Sequence, residues 1–116
     1  MASQTEALRT GEFLISEANG HRSREQIVVK TASGVVGAGT VMSLGNDGKY
    51  VPYESGSSDG HDTAAGVLYA AVDATSSDQP AVLIARDAEV AQSMLVGVDS
   101  DDSAIADLAA LGVFAR

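Results

Sequence analysis

The stretch "SGSSDGHD", Ser55 to Asp62, concentrates side chains that could do chemistry. Gly56-Ser57-Ser58-Asp59-Gly60 fits the G-x-S-x-G pattern of a hydrolase nucleophile, and His61 and Asp62 follow at once. That pattern works where a strand feeds a strained bend and a helix follows, so that the serine oxygen is exposed beside backbone donors. Here "HDTAAGVLYAAV" follows, which reads as a strand. Base and acid must also converge from separate elements, whereas His61 and Asp62 are neighbours whose side chains point apart in an extended chain. The stretch is read as a solvated surface loop, with no catalytic residue.

The metal and phosphate readings fare no better. Asp59, His61 and Asp62 lie in one loop, and the chain has one other histidine, His21, which makes a poor first shell. Asp99-x-Asp101-x-Ser103 begins like a calcium loop, but Ala104 stands where glycine is required and Ala110 where glutamate is. Gly34 to Gly39, "GVVGAG", lacks the order of a dinucleotide fingerprint and is followed by no phosphate-loop lysine. It is read as a bend between strands. No metal site, cofactor site or cofactor is expected.

The whole chain narrows the classes further. Its 116 residues are the size of one domain, and cysteine is absent, so disulfides, thiolate metal sites and cysteine nucleophiles are excluded. A net charge of −9 argues against nucleic acid, whose affinity for protein comes mainly from Lys and Arg displacing counterions. No run of about 18 apolar residues occurs and no signal-like stretch opens the chain, which predicts a soluble protein made in a cytoplasm, without membrane contact. The charge is uneven: the first 30 residues carry four acids and four bases, and the remaining 86 hold all of the net charge.

That asymmetry matches the patterning. Residues 1–25 hold one apolar cluster, Phe13-Leu14-Ile15, among polar residues, with no sustained period, and so predict a flexible arm without a core of its own. "FLI" is then either buried against the body or kept for a partner, and the partner is the favoured reading. Residues 26–116 predict one β-rich domain that folds without the arm. Its β-branched runs, from Ile27-Val28-Val29 onward, are separated by turn signals. Ser23-x-x-Gln26 matches a capping box, but the "IVV" after it is β-prone and no helix is read there. Asp47-Gly48 predicts a hairpin turn, and Pro52 an edge strand that needs no N–H. Ala64 to Val72 and Ala81 to Ala85 read as strands covered on both faces, partly by another subunit. Tyr50, Tyr53 and Tyr69 sit in these strands, with rings half-buried and hydroxyls wet.

One helix is expected near the C-terminus. Asp99, Asp101 and Asp102 favour its N-terminus, Ser100, Asp101 or Ser103 can cap it, Gly112 ends it, and Ile105, Leu108 and Ala109 form its buried stripe. "VFAR" returns as a short strand.

Four segments carry a family resemblance. "GEFLISEANGHRSRE" at 11–25, "AGTVMSLGNDGKYVPY" at 38–53, "DTAAGVLYAAVDAT" at 62–75 and "LAALGVFAR" at 108–116 resemble the lambda-type head decoration proteins of tailed bacteriophages. The resemblance runs through nearly the whole chain in consistent order. It implies a small, mainly β, β-clip-like domain (α+β) with one short C-terminal helix, assembling as a homotrimer. It implies a structural protein, not an enzyme, on the outer capsid surface of the virion after assembly in the host cytoplasm. Its partner would be the major capsid protein of the expanded icosahedral head, at three-fold and quasi-three-fold positions, with resistance to packaged-DNA pressure as the result. The arm would order there by strand addition, a mode in which main-chain hydrogen bonds offset the ordering entropy. Composition and resemblance together nominate Phe13, Leu14, Ile15, Arg22, Arg24, Ile27, Val28 and Val29 as capsid-binding residues.

Two other classes stay open. "AGTVMSLGNDGKY" looks faintly like a substrate segment of trimeric deoxyuridine nucleotide pyrophosphatases, but Met42 stands roughly where their acidic residue belongs. An oligomeric β module for a tail or host surface is the other.

Overall fold

Short β-branched runs punctuated by glycine build a closed barrel, a three-stranded sheet and a two-stranded sheet. The computed structural model describes residues 11–17, 23–31, 33–45, 48–53, 63–96 and 103–116. Mainly β structure with a single short C-terminal helix is what the sequence predicts, and that is the fold.

The barrel contains β2 (Arg24–Val29), β5 (Tyr50–Pro52), β4 (Val41–Leu44), β6 (Ala64–Leu68) and β8 (Gln79–Ile84), in that order around the ring. Antiparallel β2 and β8 pair along their whole length, from Arg24 opposite Ile84 to Val29 opposite Gln79. β4 and β5 form the expected hairpin, with Leu44 opposite Tyr50 and Gly48 at φ +81°; Asp47 lies outside the described residues. "QIVV" is strand, as its β-branched residues require.

Neighbouring residues of the barrel strands feed two different apolar clusters. Val41, Val67 and Ile84 join one; Met42, Leu68 and Leu83, each next in sequence to one of these, join the other. Burial on both faces is why these strands read as continuous apolar runs. β6 approaches β8 so closely that a Cβ on Gly66 would lie 2.6 Å from the Ile84 carbonyl oxygen. No side chain fits there without movement.

The second cluster is covered by β3 (Gly34–Val36) and β7 (Val72–Ala74), an antiparallel pair that contributes Val36 and Ala74. The first is covered by the sheet β1 (Leu14–Glu17), β9 (Ala88–Val90) and β10 (Val113–Ala115), and by α1 (Ser103–Leu111). The "VFAR" strand is therefore present, parallel to β9. α1 stops at Gly112, whose φ of +91° suits glycine, and Asp107 accepts a hydrogen bond from the Ala64 N–H at 3.0 Å, tying the helix to β6.

Several local expectations are corrected. Gly34 to Gly39 is strand at first, with the turn confined to Gly37–Gly39. The run Ala64 to Val72 breaks at Tyr69–Ala71, because β7 leaves the barrel to pair with β3. Pro52 is not on an edge strand: β5 lies between β4 and β2, yet it meets β2 only through Tyr50, so Pro52 opposes Met42 without needing a second donor. On α1, Ala104 and Leu108 are buried and Ile105 half-buried, while Ala109 is exposed, because its direction lies beyond the groove that receives Leu108. Tyr53 is buried rather than half-buried, and its hydroxyl is enclosed without a hydrogen-bond partner, since the ring has joined the cluster around Phe13.

Candidate functional site

Most residues nominated for binding fall in or beside β1 and β2, and the structure separates them sharply. Phe13 is fully buried among Val90, Ala104, Leu108 and Val113, and Leu14 packs half-buried against the same cluster. Ile15 points the other way and is 54% exposed. On β2 the alternation places Ile27 and Val29 inside and leaves Val28 41% exposed. Arg22 lies outside the described residues, as do His21, the whole of 54–62 and Asp99 to Asp102. The solvated-loop, nucleophile and metal readings of "SGSSDGHD" therefore fall there too, as do Ser100 and Asp101 as caps of α1, whereas Ser103 is the first residue of the helix.

The packing of Phe13 departs from the expectation of an unpacked "FLI". The cluster it joins is built by residues 28 to 100 positions later in the chain, from Val41 to Val113, and no local pattern announces it. β1 pairs antiparallel with β9, Leu14 opposite Val90, with an irregularity between Leu14 and Ser16, and it forms one edge of its sheet.

Polar contacts fasten β1 at several points. The Glu89 carboxylate, on the central strand, accepts one hydrogen bond from the Ser16 hydroxyl on β1 at 2.8 Å. Its other oxygen accepts one from Arg116 Nε, just beyond β10, also at 2.8 Å. One carboxylate thus joins both edge strands. The Ser16 hydrogen bond first, then Arg116, hold Glu89 below the ordinary glutamate range. At the far end of β1, Glu17 accepts from Arg24 Nη2 at 2.6 Å and from Nε at 3.2 Å, and also from the Ser23 hydroxyl. The Glu17 hydrogen bond raises Arg24 above its ordinary value, against some desolvation. The Arg24 guanidinium lies 4.2 Å from the centre of the Tyr69 ring.

An open groove of about 650 Å³ crosses the outside of the barrel, lined in part by Gln26, Val28, Tyr50, Pro80 and Val82. Its carboxylate, Glu25, faces Arg86 at 3.5 Å. That lining brings no acid and base together on an enclosed site. Among the described residues no group of three or more His, Asp or Glu side chains could hold a metal ion, and no helix is long and apolar enough to cross a membrane. What the described surface offers is strand edges and scattered exposed apolar side chains, a surface suited to contact.

Sequence reasoning missed Gly11, Tyr69, Glu89 and Arg116 as parts of this region. The only available signal was that "GEFLISE" alternates weakly, with Phe13 and Ile15 falling on one parity, which by itself gives the wrong face for Ile15.

Comparison with known proteins supplies what geometry alone does not. No curated protein matches the chain. The family of the bacteriophage lambda head decoration protein D matches residues 3–113, nearly the whole length, including β1, the barrel and α1. A match of that extent, over a mainly β domain with one C-terminal helix, covers fold and sequence together: the chain belongs to the bacteriophage lambda head decoration protein D family, a structural family of the phage virion that decorates the capsid.

Proposed function

We propose that the chain acts as a homotrimer on the outer surface of the expanded icosahedral head, at three-fold and quasi-three-fold positions, and stabilises the shell against the pressure of packaged DNA. The observation that carries this reading is the family match across residues 3–113. The major capsid protein is the partner, and residues 1–25 are the segment that attaches to it, with 26–116 as the body. A net charge of −9 suits a protein kept on the outer side of the wall, away from DNA, and a crowded decorated surface that must stay dispersed.

Attachment by three copies of one segment gives the trimer its strength. Separating the capsid subunits then requires releasing several contacts at once, so modest single affinities combine into strong retention. Ile15 within the segment and Val28 just beyond it present exposed apolar side chains, and among the described strands β1 lies at an edge of its sheet, the position that strand addition uses. Leu14 and Arg24 are taken with them, and Arg22, which lies outside the described residues, is nominated from the sequence alone. Phe13, Ile27 and Val29 reach the capsid only if β1 and β2 leave the body.

Electron microscopy of undecorated expanded heads incubated with the chain tests the proposal. The expected image shows three-lobed density at every three-fold and quasi-three-fold position, on heads that retain DNA to a higher temperature than bare ones. Density elsewhere, or bound single copies, would contradict the trimer, and equal heat resistance would contradict the stabilising role.

A further inference from the structure

We propose that the ribbon of β3 and β7 on one copy of the chain seats Val35 in the groove along β2 and β8 of the next copy, and that this head-to-tail contact builds the trimer; it rests on the homotrimer reading above. Val35 is 74% exposed, the most exposed of the described large apolar side chains. It stands opposite Asp73 across the ribbon, so the two side chains share its outer face, while Val36 and Ala74 turn into the core. The Thr75 hydroxyl at 2.6 Å, and then its N–H at 3.1 Å, hold Asp73 below the ordinary aspartate range, so its negative charge is kept. The ribbon thus presents an apolar knob beside an acid.

The groove has the complementary composition. Across its floor Val28 stands opposite Pro80 and Gln26 opposite Val82. Among the described residues five are cations, and four of them, Arg24, Lys30, Lys49 and Arg86, lie within two residues of an end of β2, β5 or β8, the strands that supply the lining. Acids meet three of them there, Glu17 on Arg24, Asp78 on Lys49 and Glu25 on Arg86, so this face is close to neutral on a chain that carries −9. Two copies with that charge repel, and contact is favoured where one brings an acid to the cations of the other. Ribbon against ribbon would instead set Asp73 beside Asp73. Knob and groove are different surfaces of one chain, so their contact repeats head to tail, and a closed ring satisfies every copy.

The test uses the full chain without capsids, with oligomeric state measured by analytical sedimentation. Because the chain has no cysteine, introduced thiols report alone. Val35→Cys combined with Val82→Cys, bridged by a short bis-maleimide, is expected to give covalent dimers and trimers on denaturing gels, and either single variant none. Asp73→Lys is expected to raise the concentration needed for trimers about tenfold while keeping the wild-type circular dichroism spectrum. The proposal is overturned if the double variant sediments as a trimer and does not crosslink, or if Val35→Cys alone crosslinks, which would set ribbon against ribbon. It is overturned as well if Asp73→Lys forms trimers as readily as the wild type. Val28 stays intact and no heads are present, so the capsid contact proposed for that residue does not enter the readout. A wild type that sediments as a monomer removes the homotrimer reading instead, and this inference with it.

Discussion

Gly66 and Glu89 show how much of this fold rests on single atoms. A methyl group at Gly66 would lie 2.6 Å from a backbone oxygen on β8 and 2.7 Å from the Leu83 side chain, and the backbone cannot yield without opening the barrel. Gly66→Ala is therefore expected to cost about 1–3 kcal/mol or more, as overpacking does, seen as a lower midpoint in denaturant unfolding. An unchanged midpoint would mean that β6 and β8 lie farther apart than described. Glu89 makes a prediction in pH. Its carboxyl is held below the ordinary range by Ser16 and then Arg116, so its folded pKa is depressed. The stability it contributes is present above the ordinary glutamate value and is lost as pH falls through the folded value. Thermal unfolding should show Glu89→Gln below wild type at neutral pH, with the two curves converging below the glutamate range; a constant gap would exclude the charge as the cause. Neither residue was legible in the sequence: Gly66 is one glycine in an apolar run, and Glu89 meets Ser16 and Arg116 across 73 and 27 residues.

Elements were more legible, and the failures have one cause. Runs such as "QIVV" and "AVLI", the Asp-Gly hairpin, the alanine-rich helix stopped by Gly112 and the returning "VFA" strand declare themselves locally, through β-branching, turn chemistry and helix punctuation. What a strand packs against is not local. Phe13 looked unaccompanied because Val90, Leu108 and Val113 lie far along the chain, and Pro52 looked like an edge residue because barrel closure through Tyr50 leaves no mark in the sequence. Phe13→Ala is accordingly expected to lose about 3–5 kcal/mol, the cost of emptying a buried aromatic site. Deletion through residue 25 removes Phe13, β1 and the first strand residues of β2, and should destabilise the body at least as much. If deletion through 25 instead leaves stability untouched, then Phe13 does not hold the described fold together.

At the scale of the whole molecule, function was legible mainly through likeness and only secondarily through composition. The charge of −9 weighed against nucleic acid and the absence of cysteine excluded thiol chemistry, but they did not choose among the contact proteins that remained. The ordered agreement of four segments chose one, and the family match over residues 3–113 establishes it. The trimer, its position on the head and its dependence on shell expansion remain the proposal. The most direct measurement is co-sedimentation of the full chain with undecorated heads of the same phage, taken before and after expansion. Saturable pelleting with expanded heads alone, at three chains per three-fold position, is the result this account predicts. Failure to pellet with either form, or equal pelleting with both, would contradict it.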